Sequence, residues 1–577
     1  MRTVPNTARS ASLALLVAVA GCGSLGEGAR TMAYPDLRET CARLLGQTVP
    51  AQLIGADTGA GSGDAVITET AFESARPLAV SERGPTPAAR IEPALPPYCK
   101  VIGRIAPVRR GAPDILFRVN LPLEWNGRLV QYGGGGFNGV LITGTALVPG
   151  QPYDRPTALA RGFVTVGTDS GHQTRPGEPV QRFALDDEAL VNFAHASYKK
   201  VRDVAFEIAR RAYGRAPARA YFVGSSEGGR EALVMAQRYP AAFDGVFARV
   251  PVLNWTGLQH AGLRDGLALA SGGWMDRAQT QSVHDAVLAA CDELDGLKDG
   301  IVADPLGCRQ RFDPARLACG AATAPPRCLT AAQIAAIRTL MSPLVMPFEL
   351  AHGVREYPGR GPSGEAIPSS GPTGGWGSWW LGESAPDFPP SAPPKNGIAW
   401  YYGAGAIQYF YARDPALDVR RYDPAAYRER IMQVSALMDA TDPDLSAFAA
   451  RGGKLIILEY LADYAQSPYA GIQYFESVER RMGAARVAEF ARLYAAPNVD
   501  HVGTGAPALV DMLEVLVRWV EHGEAPGTLR VLEQEPRAPF AVLRSRPLCR
   551  WPQIARYRGG DPDRAESFTC TPAPRQG

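Results

Sequence analysis

The chain has 577 residues, enough to bury more than one core, and 46% of them are hydrophobic, as in ordinary globular proteins. A formal net charge of +2, with lysine and arginine scattered instead of massed in blocks, excludes the electrostatic footprint of a nucleic-acid binder. Beyond the N-terminus no apolar run approaches the length of a membrane span.

The N-terminus reads as an address. Arg2 and Arg9 precede the apolar run Ala11 to Ala20, too short for a comfortable transmembrane helix, so residues 1–21 are expected to be a signal peptide. Val19-Ala20-Gly21-Cys22 resembles a bacterial lipobox, in which the cysteine becomes the lipidated first residue; residues 22–32 would then be lipidated Cys22 and a Gly-rich tether. The expected location is outside the cytoplasm, as a bacterial cell-envelope lipoprotein or a secreted protein, with a lipid anchor as the one contact with membrane. Of nine cysteines, removing Cys22 leaves eight: Cys41, Cys99, Cys291, Cys308, Cys319, Cys328, Cys549 and Cys570. An even number in an oxidising compartment points to disulfides, and sequential pairing is the simplest of many possible connectivities. No C-x-x-C or Cys/His cluster suggests zinc.

Two regions of α/β texture flank a middle of different character. Short apolar runs from Ile115 to Val130 and from Gly162 to Val166 predict strands, and Val201 to Ala212 predicts a helix. After the first run comes Gln131-Tyr132-Gly133-Gly134-Gly135-Gly136-Phe137-Asn138-Gly139. This loop lacks the Lys-Ser/Thr ending of a P-loop and the spaced glycines of a dinucleotide fingerprint. It matches the position of the loop that donates one backbone N–H to an oxyanion hole in many esterases, with Gly134 as the candidate. The apolar run Ala220 to Val223 then leads into Gly224-Ser225-Ser226-Glu227-Gly228-Gly229, and Arg230 to Arg238 is helical in pattern. Strand, G-x-S-x-G turn and helix are the context of a nucleophile elbow, making Ser226 the candidate nucleophile and the Glu227 N–H the second oxyanion donor.

From about Asn254 to Thr441 the chain is rich in proline, glycine and tryptophan, with Trp376, Trp379 and Trp380 clustered. An insertion after the elbow would sit over the C-terminal edge of a sheet, where α/β enzymes bind ligands, so residues 255–440 are read as a lid between core segments 33–254 and 441–577. The α/β pattern resumes at Lys454 to Leu458, a buried strand, and ends with an amphipathic helix from Ala508 to Glu521 stopped by Gly523. The acid and base that a serine nucleophile needs should follow it in the order Asp, His. His260, His284 and His352 fall in the lid and His522 at a helix end, leaving His501 in the polar loop Asn498 to Gly505. Asp463 lies just beyond the strand; Asp500 adjoins the histidine and would align poorly with its Nδ1, and Asp442 and Asp444 precede the strand. The expected triad is Ser226, Asp463 and His501 in an α/β-hydrolase core.

In combination these stretches resemble the tannase/feruloyl esterase family over nearly all of the mature chain. The resemblance is carried by Gly133 to Gly139, Thr168-Asp169-Ser170-Gly171-His172, Gly224 to Arg230, Gln237 to Pro240, Phe243-Asp244-Gly245, Gly452 to Leu455 and His501. It implies a secreted esterase with an inserted lid that cleaves carboxylic esters of aromatic acids of feruloyl, galloyl or terephthalate type. A small aromatic ester is the expected partner, and the protein is expected to be a monomer. Alternatives are an esterase for acetylated or aliphatic esters, or a non-catalytic secreted binding protein on the same fold. The resemblance also implies a structural calcium ion (Ca2+) bound in the loop Cys291 to Ile301 by the side chains of Asp292, Asp295 and Asp299 and the carbonyls of Leu297 and Ile301. Three aspartates within eight residues, with glycines that permit a sharp loop, suit a hard cation. The family's other bridges agree with sequential pairing of the eight cysteines. One departure stands out: the family usually joins cysteines placed just before the nucleophile and just after the histidine, where this chain has Ser225 and Val502.

Overall fold

The computed structural model describes residues 31–573 except 83, 85, 321–327 and 368–374, so the signal peptide and Cys22 lie outside the described residues. Met32, at the end of the expected tether, already pairs with Trp125 in a short two-stranded ladder.

One sheet of ten strands organises the molecule. In chain order they are β1 (Thr48–Val49), β2 (Ala65–Glu73), β3 (Tyr98–Ile105), β4 (Ile115–Pro122), β5 (Arg128–Tyr132), β6 (Val164–Thr168), β7 (Arg219–Ser225), β8 (Gly245–Arg249), β9 (Lys454–Tyr460) and β10 (Ala491–Ala496). Their spatial order is β10-β9-β8-β7-β5-β6-β4-β3-β2-β1. The last six in sequence run parallel, whereas β1 to β4 are antiparallel additions joined through the β4–β6 pairing. The apolar runs of the parallel strands follow from burial on both faces. Phe222, Val246, Leu455 and Ile457 point into one hydrophobic cluster, and Tyr221, Val223, Phe247, Ile456 and Leu458 into the other, the alternation a pleated strand imposes. Each such fully buried side chain contributes roughly 1.5–3 kcal/mol relative to exposure.

Helices cover both faces. α1 (Ser197–Tyr213) and α2 (Glu227–Arg238) pack on the first cluster, and α3 (Met512–His522) packs on the second. α3 starts later than the sequence pattern suggests, because Asp511 caps it by accepting the Glu514 N–H at 3.1 Å, and residues 508–510 instead bond to the hairpin that follows and to Gly150. Gly523, at φ +72°, ends it as expected. The long antiparallel pair β2–β3 went unread in the sequence, since half-exposed strands in this region carry no continuous apolar run.

The inserted segment between β8 and β9 has two apolar centres. One is built on Trp255, Trp400 and Phe410 and also takes in Phe137, Leu190 and Phe193 from the sheet side. The other surrounds Val283, Ile337, Trp376 and Trp380 and reaches Tyr464. The insertion is therefore welded to the sheet's C-terminal edge by shared cores. After α3, two hairpins, Leu529–Gln534 with Val542–Leu548 and Gln553–Tyr557 with Phe568–Pro572, lie outside the main sheet.

All eight expected cysteines are bridged, and sequentially: Cys41–Cys99, Cys291–Cys308, Cys319–Cys328 and Cys549–Cys570. Such bridges persist in oxidising compartments. No described helix is long and apolar enough to cross a membrane.

Candidate active site

β7 delivers Ser226 at the carboxyl edge of the sheet, in a tight turn before α2. Its φ of +61° and ψ of −121° are those of a strained residue, and non-glycine residues are held this way only where the surroundings impose it. The elbow's glycines are required sterically. A Cβ on Gly224 would come 2.0 Å from the Gly228 carbonyl oxygen, and one on Gly228 would come 2.7 Å from the Gly134 oxygen. The turn is pinned by the Ser226 N–H donating to the Arg249 carbonyl at 3.0 Å.

The base and acid chosen by order and position meet. His501 Nδ1 lies 2.6 Å from Asp463 Oδ2, and both residues are buried. Asp463 follows β9 and donates its own N–H to the Tyr460 carbonyl; its oxygens accept from the Gln466 N–H at 3.1 Å and Gln466 Nε2 at 3.4 Å. No hydrogen bond between Ser226 Oγ and His501 Nε2 is among those described, and bonds of this kind tighten on substrate binding. The rejected candidates are engaged elsewhere. Asp500 accepts the Val502 and Thr504 N–H groups and shapes the histidine's own loop. His260 bonds to Thr256 and Tyr422, His284 to Glu365, and His352 to Thr441.

Several neighbours carry no signal in the sequence. Glu459, fully buried, binds the same Gln466 Nε2 at 2.9 Å; burial first, and the charge of Asp463 next, push its carboxyl well above the usual range. Trp379 of the insertion stands edge-on to the His501 ring, with centroids 5.4 Å apart at 74°. Its companions Trp376 and Trp380 are buried and stack on each other at 5.3 Å, so the tryptophan cluster divides into two core residues and one at the site.

The glycine loop after β5 packs against α2, but its bonding differs from expectation at Gly134. The Gly134 N–H donates to Glu231 Oε2 at 3.0 Å, and Asn138 Nδ2 donates to Oε1 of the same carboxylate at 2.5 Å. Gly133 donates to the Val223 carbonyl, and Gly135 to Asn138 Oδ1. Gly134 thus anchors the loop, and Gly136 is the loop glycine whose N–H has no acceptor among the described hydrogen bonds. Glu227 is the first residue of α2, so its N–H has no intrahelical acceptor and is available as an oxyanion donor. Its side chain turns away, pairing with buried Arg230, although burial still pushes the carboxyl up to about 7. The Thr168–His172 stretch buttresses the loop from the other side: the Asp169 carbonyl accepts the Gly139 N–H at 3.2 Å, and His172 Nε2 lies 2.9 Å from the Phe137 carbonyl.

In the acidic loop, Asp292 and Asp295 are buried, and burial followed by the charge of Asp299 raises Asp295 to about 6. Neither the Leu297 nor the Ile301 carbonyl accepts a described hydrogen bond. This is the donor chemistry a hard cation takes. The carboxylates are nonetheless held apart: Asp292 accepts the Asp299 and Gly300 N–H groups, and Asp299 pairs with Arg546 at 2.6 Å. Among the described residues no three His, Cys, Asp or Glu side chains are gathered closely enough to hold an ion.

A parallel sheet extended by antiparallel strands, with a serine elbow at the end of a central strand, is the α/β-hydrolase fold, here put to carboxylic ester hydrolysis. The chain matches the family described as "Tannase and feruloyl esterase" over residues 99–571 and belongs to that family. It is 36% identical over 490 residues to an uncharacterised esterase of Agrobacterium fabrum, covering 82% of this chain and 85% of the relative. It is 34% identical over 546 residues to the mono(2-hydroxyethyl) terephthalate hydrolase of Piscinibacter sakaiensis, covering 85% and 88%. The crystal structure of feruloyl esterase B from Aspergillus oryzae superposes with a TM-score of 0.72 at 22% identity, covering 93% of this chain and all of that one, and so shares the fold. The reading as a non-catalytic binding protein is set aside by this membership.

Proposed function

We propose that this protein is an exported esterase that cleaves esters of aromatic carboxylic acids through Ser226, His501 and Asp463. The observation that carries the reading is the 2.6 Å contact of His501 Nδ1 with Asp463 at the sheet edge that bears the Ser226 elbow. With Nδ1–H donated to Asp463, Nε2 is left as the acceptor for the Ser226 proton. Ser226 Oγ attacks the ester carbonyl, and the developing oxyanion is held by the Glu227 N–H and by the glycine loop, where Gly136 is a better candidate than Gly134. His501 passes the proton to the departing alcohol, then takes one from the water that hydrolyses the acyl-enzyme. The 255–440 insertion acts as the lid, and Trp379 beside the imidazole offers a flat apolar wall to an aromatic acyl group. The activities for which the Piscinibacter sakaiensis hydrolase and the Aspergillus oryzae feruloyl esterase B are named support this substrate class. On methyl ferulate, methyl gallate and mono(2-hydroxyethyl) terephthalate beside p-nitrophenyl acetate, at least one aromatic-acid ester should show the highest kcat/KM. A panel in which the acetate ester leads throughout would remove aromatic-acid specificity.

Calcium in the 292–301 loop is the second part of the proposal. Asp292, Asp295 and Asp299, with the Leu297 and Ile301 carbonyls, would hold the ion, with Asp299 turning from Arg546 toward it. Its contribution would be to fix the insertion against the C-terminal hairpins, with no part in the chemistry. Saturating calcium should raise Tm by about 5 °C, since one bound ion at high saturation adds a few kcal/mol, and a chelator should reverse the shift while leaving kcat on a small ester unchanged. A Tm indifferent to both reagents would show that the Arg546 pairing suffices.

A further inference from the structure

Arg249, the last residue of β8, takes no part in the chemistry above, yet it touches the elements that carry all three triad members. Its carbonyl accepts the Ser226 N–H at 3.0 Å, and its Nε donates to the Ser225 hydroxyl at 2.9 Å, so one residue holds the nucleophile's own amide and its neighbour's side chain. The guanidinium then crosses to the fully buried Tyr460, standing 5.3 Å from the ring centroid with Nη1 3.4 Å from the hydroxyl. Tyr460 is the residue whose carbonyl accepts the Asp463 N–H, at 3.1 Å. On the far side lies Gly503, two residues after His501. A Cβ there would sit 3.5 Å from Arg249 Nη1 and 3.8 Å from the Tyr460 ring, so the histidine's loop rests against this cation with only glycine between.

Arg249 belongs to none of the described ion pairs. A half-buried arginine that forms no salt bridge, and spends its donors on a serine and a tyrosine hydroxyl, serves geometry more than charge balance. We propose that Arg249 is a positioning residue that fixes the Ser226 elbow in register with the Asp463 strand end and the His501 loop, with Ser225 as the acceptor on the nucleophile's side. This rests on the triad reading above. Because attack requires the nucleophile and base to be placed within fractions of an ångström, slackening the clamp reduces reactivity without removing any reacting group.

The rate of phosphonylation by a fluorophosphonate reads nucleophile–base alignment directly, and it should be measured well below the Tm of every variant. Arg249→Met should slow both phosphonylation and ester turnover by about 10- to 100-fold, with KM little changed. Ser225→Ala, which deletes one hydroxyl at a half-exposed position and so keeps the test open if the first variant folds poorly, should slow them about fivefold. The double variant should be no slower than Arg249→Met alone, because both act through one contact. Wild-type phosphonylation rates in both single variants, or additive losses in the double, would overturn the clamp. A wild-type enzyme that resists the reagent, or a Ser226→Ala variant that is still labelled, would instead sink the triad reading on which the clamp depends.

Discussion

Ser226→Ala should abolish ester hydrolysis, lowering kcat by on the order of 10⁴-fold or more and leaving only what the oxyanion donors and binding supply. The loss has one cause. The elbow holds residue 226 at φ +61° with its amide bonded to Arg249, so alanine occupies the same backbone while the only hydroxyl delivered there disappears. No substitute is positioned by chance, because the neighbouring Ser225 hydroxyl is taken by Arg249 Nε. Stability should hardly change: the serine side chain makes no described hydrogen bond, and alanine differs by one half-buried atom. Steady-state kinetics on an ester that the wild type turns over, together with a thermal melt, checks both halves. Retention of more than about a tenth of wild-type kcat would exclude Ser226 as nucleophile, since residual catalysis without a nucleophile is far smaller.

The part of this site that was legible in the sequence is the part built from local rules. A strand followed by G-x-S-x-G and a helix can be read within a dozen residues, because glycine is needed where Gly224 and Gly228 touch backbone oxygens. His501 and Asp463 could be chosen by order and by position after a strand, since the topology of a parallel sheet brings strand ends to one edge. The cysteines paired in sequence order, as short loops favour. What stayed hidden depends on contacts between distant segments. Nothing near Arg249 announces that its side chain will bridge Ser225 and Tyr460, two residues separated from it by very different lengths of chain. Glu231 reads as an ordinary helix residue until the fold lays Gly134 and Asn138 against it, which is why Gly134 appeared to be a free donor. The β2–β3 pair escaped for a related reason: its alternation is blurred by strands whose outer faces are only half covered.

Replacing Asp463 by asparagine should cost on the order of 10³- to 10⁴-fold in kcat with little change in fold, and it tests the imidazole's tautomer apart from the nucleophile. One oxygen, Oδ2, lies 2.6 Å from His501 Nδ1, whose proton it receives in the proposed mechanism, while the other, Oδ1, receives the Gln466 N–H. Asparagine can keep the Gln466 bond through its carbonyl, but its amide N–H₂ then faces His501. Nδ1 must become the acceptor, the proton moves to Nε2, and Nε2 can no longer take the Ser226 proton. The amide would also set donor against donor with Gln466 Nε2, now 3.4 Å from Oδ2, so Gln466 should flip its own amide and loosen its hold on buried Glu459. The Glu459 carboxyl, pushed upward by burial, is a poor replacement acid because it points to Gln466 and not to the imidazole. Fluorophosphonate labelling should slow in parallel with turnover, since in the proposed mechanism both need His501 as base, whereas KM on a small ester should stay within about threefold because Asp463 is buried. An Asp463→Asn variant with near-wild-type kcat would place the orienting acid elsewhere and break the link between the 2.6 Å pair and catalysis.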